Sequence, residues 1–161
     1  MIKIITILFI YINVIFAHSF NFTELRYSYA IDRSIQLDGQ INFLKNGLSI
    51  SYHDSAKSLR YENNTLIYKE NNETIDLDAM QYQKIKGYFD ILILLYKDDK
   101  KAYDGIFDIE IKDDKTILKP LGDIKEYISH IEMFKEKTKL KQIKLFLKNR
   151  DNITIIINDE I

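Results

Sequence analysis

The sequence predicts a mainly β domain with an added helix (α+β): roughly nine to eleven strands in one large antiparallel sheet, curled or closed, and capped by the helix. Three observations lead there. Apolar and polar residues alternate in short runs, those runs are separated by Asn, Asp and Gly, and one longer stretch follows helical spacing instead.

Length and composition set the bounds. The chain has 161 residues, with 23 Lys and Arg against 24 Asp and Glu, a formal charge of -1 and a hydrophobic fraction of 46%. That is one domain's worth of chain, and it can bury enough apolar surface to offset its conformational entropy, which excludes disorder. The balanced charge excludes a protein that binds nucleic acid by neutralising phosphates. The absence of Cys excludes a disulfide, a thiolate metal site, a cysteine nucleophile and a lipid-modified N-terminal cysteine.

The first element is an address. Lys3 precedes an apolar run from Ile4 to Ala17, which gives way to His18 and Ser19. This is the layout of a secretory signal peptide, and the run is short of the about 20 residues that span a hydrocarbon core. The signal peptide is expected over residues 1–19 and the folded domain over 20–161, with cleavage after Ala17 or after Ser19 both open. The mature protein is expected outside the cytoplasm, and the absence of Cys fits a bacterial periplasm.

Phe20 to Glu24 reads either as a short helix or as the lead-in to the first strand. Ile41 and Phe43 then alternate with polar residues, as do Leu48, Ile50 and Tyr52, and Asn46-Gly47 between them is expected to form a turn with both residues at positive φ. Leu59 and Tyr61 face Leu66 and Tyr68 across Asn63-Asn64, where Asn tolerates the left-handed region. Ile85, Tyr88, Phe89, Leu92, Leu95 and Tyr96 follow helical spacing, while Ile91, Ile93 and Leu94 make the same stretch apolar on its other side. Such a helix must be buried on both sides. A buried strand is the competing reading of this stretch, and the helix is favoured. Phe107, Ile109 and Ile111 alternate next, Asp113-Asp114 turns the chain into a strand at 115–121, and strands follow from Ile128, Leu140 and Ile153.

Catalytic chemistry is not legible. His18, His53 and His130 stand far apart without metal-ligand spacing, and no nucleophile elbow or phosphate-binding glycine loop occurs. Asp98-Asp99 and Asp113-Asp114 read as solvated turns rather than calcium ligands. The expectation is a non-enzyme without cofactor or metal. Asn72, in Glu70-Asn71-Asn72-Glu73-Thr74, resembles an extended bacterial glycosylation acceptor.

The order Phe20-Asn-Phe-Thr-Glu, then Asp38-Gly-Gln-Ile-Asn-Phe-Leu-Lys, Leu48-Ser-Ile-Ser-Tyr-His and Ser58-Leu-Arg-Tyr-Glu-Asn-Asn-Thr-Leu-Ile-Tyr-Lys resembles the N-terminal half of the periplasmic outer-membrane lipoprotein carrier family (LolA-like). The apolar stretch at 88–96 and the pair of strands closing on Leu118-Lys-Pro120-Leu121 resemble its lid helix and the strands after it. The resemblance implies an incomplete β-barrel that holds the acyl chains of lipoproteins, acting as a monomer between an inner-membrane release complex and an outer-membrane acceptor. It implies candidate ligand-binding positions at Ile41, Phe43, Leu48, Ile50, Tyr52, Leu59, Tyr61, Leu66, Tyr68, Phe89, Leu92, Ile93 and Tyr96. Lys45 stands where the family has an Arg that governs lid opening, so it is the gating candidate, with the charge but without the planar fork. A non-catalytic envelope adaptor and a carrier of another lipid or glycolipid are the alternatives.

Overall fold

The computed structural model describes residues 18–97 and 100–160. The expected signal-peptide run up to Ala17 and the Asp98-Asp99 pair lie outside them. Eleven strands form a single antiparallel sheet: β1 (His18–Ser28), β2 (Arg33–Leu44), β3 (Gly47–Tyr52), β4 (Lys57–Glu62), β5 (Thr65–Glu70), β6 (Glu73–Ile75), β7 (Phe107–Lys112), β8 (Lys115–Pro120), β9 (Ile128–Glu136), β10 (Lys139–Leu147) and β11 (Asn152–Glu160). One long helix, α1 (Ala79–Lys97), follows β6, and 3₁₀ turns at Lys100–Tyr103 and Gly122–Glu126 flank the β7–β8 hairpin. The region after Ser19, which left helix or strand open, is strand throughout.

The spatial order is β6-β5-β4-β3-β2-β1-β11-β10-β9-β8-β7. This corrects the expected shape. The sheet is open, with β6 and β7 at opposite edges, and it is neither closed nor strongly curled into an incomplete barrel. A sheet rolls up when its apolar face has nothing else to pack on; here α1 and the segment around Tyr103 cover that face as a second layer.

Turn chemistry explains most of the connections. Asn63 (φ 49°) and Asn64 (φ 64°) are both left-handed, as are Asn71 (φ 52°) and Asn72 (φ 65°), so each pair closes a two-residue hairpin whose twist matches its strands. The β2–β3 turn differs from expectation. Its corner residues are Lys45 and Asn46, and neither they nor Gly47 has positive φ. Gly47 is instead the first residue of β3, where a Cβ would lie 2.0 Å from the Tyr61 carbonyl oxygen, so glycine is there for close approach of β4.

The core lies between α1 and one face of the sheet. Leu48, Leu95, Leu118 and Ile131 are fully buried in it, with Phe22, Ile41, Phe89, Leu92, Met133 and Ile143 close behind. The helix is anchored by rings: Tyr96 stacks on Phe43 with centroids 3.6 Å apart and planes 6° apart, and Phe89 meets Tyr61 edge-on at 6.2 Å.

Candidate functional site

The apolar-all-round character of α1 resolves into two stripes. Phe89, Leu92 and Tyr96 pack against β2–β4, whereas Ile85, Tyr88, Ile91 and Leu94, three residues apart, line a cavity of about 1070 Å³ over the other half of the sheet. The floor comprises Ile128 of β9, Leu145 and Leu147 of β10, Ile153 of β11, and Glu24 and Arg26 of β1. Ile106, Phe107, Ile124 and Tyr127 complete the wall, and Met80 and Tyr127, each 67% exposed, stand at the rim. Close-packed interiors leave few voids larger than a water, and ligand sites run to about 1,000 Å³, so this volume is on the scale of a site rather than of a packing defect.

Gln83, Lys84, Asp90, Glu126, Lys148 and Asn149 also line the cavity, and a buried polar cluster interrupts its apolar floor. On the inward face of β1, alternation places Phe20, Phe22, Glu24 and Arg26 in a row. Glu24 therefore points into the core and is fully buried. Its carboxylate is satisfied on both oxygens: Arg26 Nε donates to Oε1 at 2.5 Å, and the Tyr52 hydroxyl donates to Oε2 at 2.8 Å. Arg26 Nη2 in turn donates to the Tyr52 hydroxyl oxygen at 3.2 Å. Burial alone would lower the pKa of Arg26, but the hydrogen bond and charge of Glu24 outweigh it and hold the guanidinium above its already high range. Tyr52 is pushed well above the ordinary phenol value, first by burial and then by the Glu24 charge.

Tyr88 completes the cluster from the helix. Its ring lines the cavity, and its hydroxyl lies within electrostatic reach of Glu24, Tyr52 and Arg26. Burial first, and Glu24 second, raise its pKa well above the phenol range. Among the described residues, the Tyr88 hydroxyl is the buried side-chain polar atom that has no hydrogen-bond partner.

The sequence-derived candidates fall elsewhere. Ile41, Phe43, Leu48, Ile50, Tyr61, Phe89 and Leu92 sit in the packed core, none more than 6% exposed. Tyr52, Leu59, Leu66, Ile93 and Tyr96 pack partly buried against that core, and Tyr68 is half-buried in β5 with its hydroxyl 3.3 Å from Glu70 Oε2. Lys45 is exposed at the β2–β3 turn. None of these residues lines the larger cavity; Tyr96 borders a smaller one of about 480 Å³ at the end of α1. Tyr52 belongs to the polar cluster through its hydrogen bond to Glu24. The cavity-lining residues that the sequence did not single out as ligand-binding candidates include Glu24, Arg26, Tyr88, Ile91 and Leu94. An acid at an inward position of a strand, followed by Arg two places on, was the available signal.

His53 and Asp54 lie exposed in the turn after β3, and His130 stacks on Phe146 with centroids 4.2 Å apart. Among the described residues no group of His, Asp or Glu is placed to hold a metal ion, and no helix is long and apolar enough to cross a membrane. Asn72 is exposed at its hairpin tip.

No protein-family model matches the sequence, and no curated protein matches it. The crystal structure of a LolA superfamily protein from Nitrosomonas europaea is similar to the chain at a TM-score of 0.42 and 8% identity, over 89% of this chain and 84% of that one.

Proposed function

We propose that the protein is a non-catalytic carrier of lipid acyl chains, and that its cargo is the acylated end of lipoproteins crossing the periplasm from the inner to the outer membrane. The observation that carries this reading is the cavity of about 1070 Å³ between α1 and the sheet, walled by Ile85, Ile91, Leu94, Phe107, Leu145 and Ile153. Burial is worth roughly 0.8 kcal/mol per methylene, so an acyl chain leaves a membrane for water only if it is shielded. A cavity of this lining supplies the shield, and the helix that forms its roof is a separate layer resting on the sheet. The apolar run before His18 supports export, and the resemblance of the sequence to the lipoprotein carriers supports the choice of cargo.

The test is native mass spectrometry with lipid extraction on the chain exported through its own leader. Co-purifying lipid or acylated peptide, and uptake of a triacylated lipopeptide by the delipidated protein, are the expected results. A mass free of ligand, with no uptake, overturns the carrier and leaves the envelope adaptor.

A further inference from the structure

We infer that the open end of the cavity is a surface that docks on a lipid bilayer: Ile31, Ile35, Met80 and Tyr127 enter the interface and Lys84 and Lys148 reach the headgroups, so that a chain passes from bilayer to cavity without crossing water. This rests on the carrier reading and names the surface through which the cavity is loaded.

Strand register shows where the cavity opens. Arg26 of β1 lies opposite Ile153 of β11 on one side and Ile35 of β2 on the other. Partners across a ladder share a face, so the three side chains form one row. Arg26 and Ile153 line the cavity, and Ile35, next in the row, is 53% exposed. The floor thus runs out from under α1 on the β2 side. Met80 at the start of α1 and Tyr127 just before β9 both line the cavity and stand exposed at its rim. The turn after β10 adds Lys148 and Asn149 to the lining, and the Lys148 N–H donates to the Tyr127 carbonyl oxygen at 2.9 Å. The same turn holds the β1–β2 connection: the Tyr29 N–H donates to Asp151 Oδ1 at 2.7 Å, and the Arg150 guanidinium lies over the Tyr29 ring at 4.8 Å. Ile31, exposed in that connection, is thereby fixed at the same end.

Residue type and position together select the partner. Large exposed apolar side chains from separate segments meet around one opening, which marks an interaction surface rather than scattered exposure. The site behind them is lined for acyl chains, and the source of such chains is a bilayer. An opening seated on the bilayer spares their methylenes contact with water. Tyr and apolar side chains with Lys between them are also the composition of an interfacial anchor. Charge agrees. Arg26 holds Glu24 at 2.5 Å and Lys86 holds Asp90 at 2.6 Å, which leaves Lys84 and Lys148 against Glu126 in the lining. In the two turns Arg33 and Arg150 cancel Asp32 and Asp151. The excess of cations is small, so the apolar side chains carry the binding and anionic lipid adds to it.

Flotation of the exported, mature chain with vesicles is the experiment, with phosphatidylcholine alone and with phosphatidylcholine mixed equally with phosphatidylglycerol. The protein should float with both, severalfold more with the mixture, and added salt should remove only that increment. Ile31→Ser combined with Ile35→Thr, neither residue being in the cavity lining, should lower partitioning about tenfold. The same variant should still take up a triacylated lipopeptide from detergent micelles. Ile111→Ser, at an exposed position of the edge strand β7 beside its turn into β8, should bind vesicles as the parent does. No flotation with either vesicle, unaltered partitioning in the double variant, or an equal loss in Ile111→Ser overturns the inference. A dimer that the double variant abolishes, without flotation of the parent, assigns the surface to a second copy and overturns it too. Uptake from micelles by the parent then leaves the carrier standing, and failure of that uptake overturns the carrier as well.

Discussion

Arg26 holds Glu24 across one residue of the same strand, guanidinium Nε to carboxylate Oε1 at 2.5 Å, with the acid side chain 1% exposed and the base 44% exposed. The pair is lopsided: the charge that cannot reach water depends on the one that can. Arg26→Ala should therefore cost about 3 kcal/mol or more of unfolding free energy, because it strands a buried carboxylate. The double replacement Glu24→Leu with Arg26→Leu should recover most of that loss. Urea denaturation of the three proteins checks this; a neutral Arg26→Ala would show that Tyr52 alone satisfies the carboxylate.

Tyr88→Phe should act in the opposite direction. Removing a buried hydroxyl that has no partner stabilises the unliganded protein by about 1–2 kcal/mol. Thermal denaturation of the delipidated proteins is the measurement, and a destabilised variant would mean that the hydroxyl is bonded in solution.

The same phenols set an alkaline limit. Tyr52 and Tyr88 both have pKa values raised above the ordinary phenol value of 10.0, chiefly by burial. In the unfolded chain they ionise near pH 10, whereas in the folded protein they keep their protons. Their contribution is fully present below pH 10 and is lost as pH rises from there toward the folded values, at up to about 1.4 kcal/mol per pH unit for each group. Urea midpoints taken between pH 8 and 11.5 should fall above pH 10, and less steeply in Tyr88→Phe. Equal slopes in the two proteins would remove Tyr88 from the account.

Two glycines should respond oppositely to alanine. At Gly39 a Cβ would lie 2.2 Å from the Ser51 carbonyl oxygen and 2.9 Å from the Phe22 ring, so Gly39→Ala should cost about 1–3 kcal/mol. At Gly87, inside α1 and facing the cavity, a Cβ meets nothing, so Gly87→Ala should gain up to about 1 kcal/mol of helix propensity. Melting temperatures decide both. A stabilised Gly39→Ala would mean that β2 and β3 shift apart without loss.

Asp substitutions should separate the two stripes of α1. Phe89 is 1% exposed, so Phe89→Asp should leave no cooperative unfolding transition. Leu94 is only partly buried and lines the cavity; Leu94→Asp should keep the β signal in circular dichroism and lose bound lipid. The same lipid content in Leu94→Asp as in the parent would place the ligand elsewhere.

How much of this could be read in advance differs from residue to residue. Asn63-Asn64 announced its hairpin because the backbone chemistry of a turn is local. Gly47 misled for a reason that is not local: its lack of a side chain serves the Tyr61 carbonyl on the neighbouring strand rather than a positive φ. The helix was legible from spacing, but spacing does not say which stripe is packed and which is open. It does not separate Phe89 and Leu92, which are packed in the core, from Ile91 and Leu94, which line the cavity. The cavity floor was out of reach, since it joins Glu24 and Arg26 to Leu145 and Ile153, residues brought side by side only by the pairing of β1 with β11. The openness of the sheet was equally hidden, because alternation marks a buried face without saying what buries it.

That pairing also orders events in time. Every neighbouring pair of strands is consecutive along the chain except β1 and β11, which meet in the middle of the sheet with Thr23 opposite Ile156. Two runs of hairpins can each zip up from local contacts, but the seam that joins them requires the last strand to find the first, and loop closure makes this the slow contact. A chain emerging from the ribosome thus cannot complete its sheet until β11 has been made.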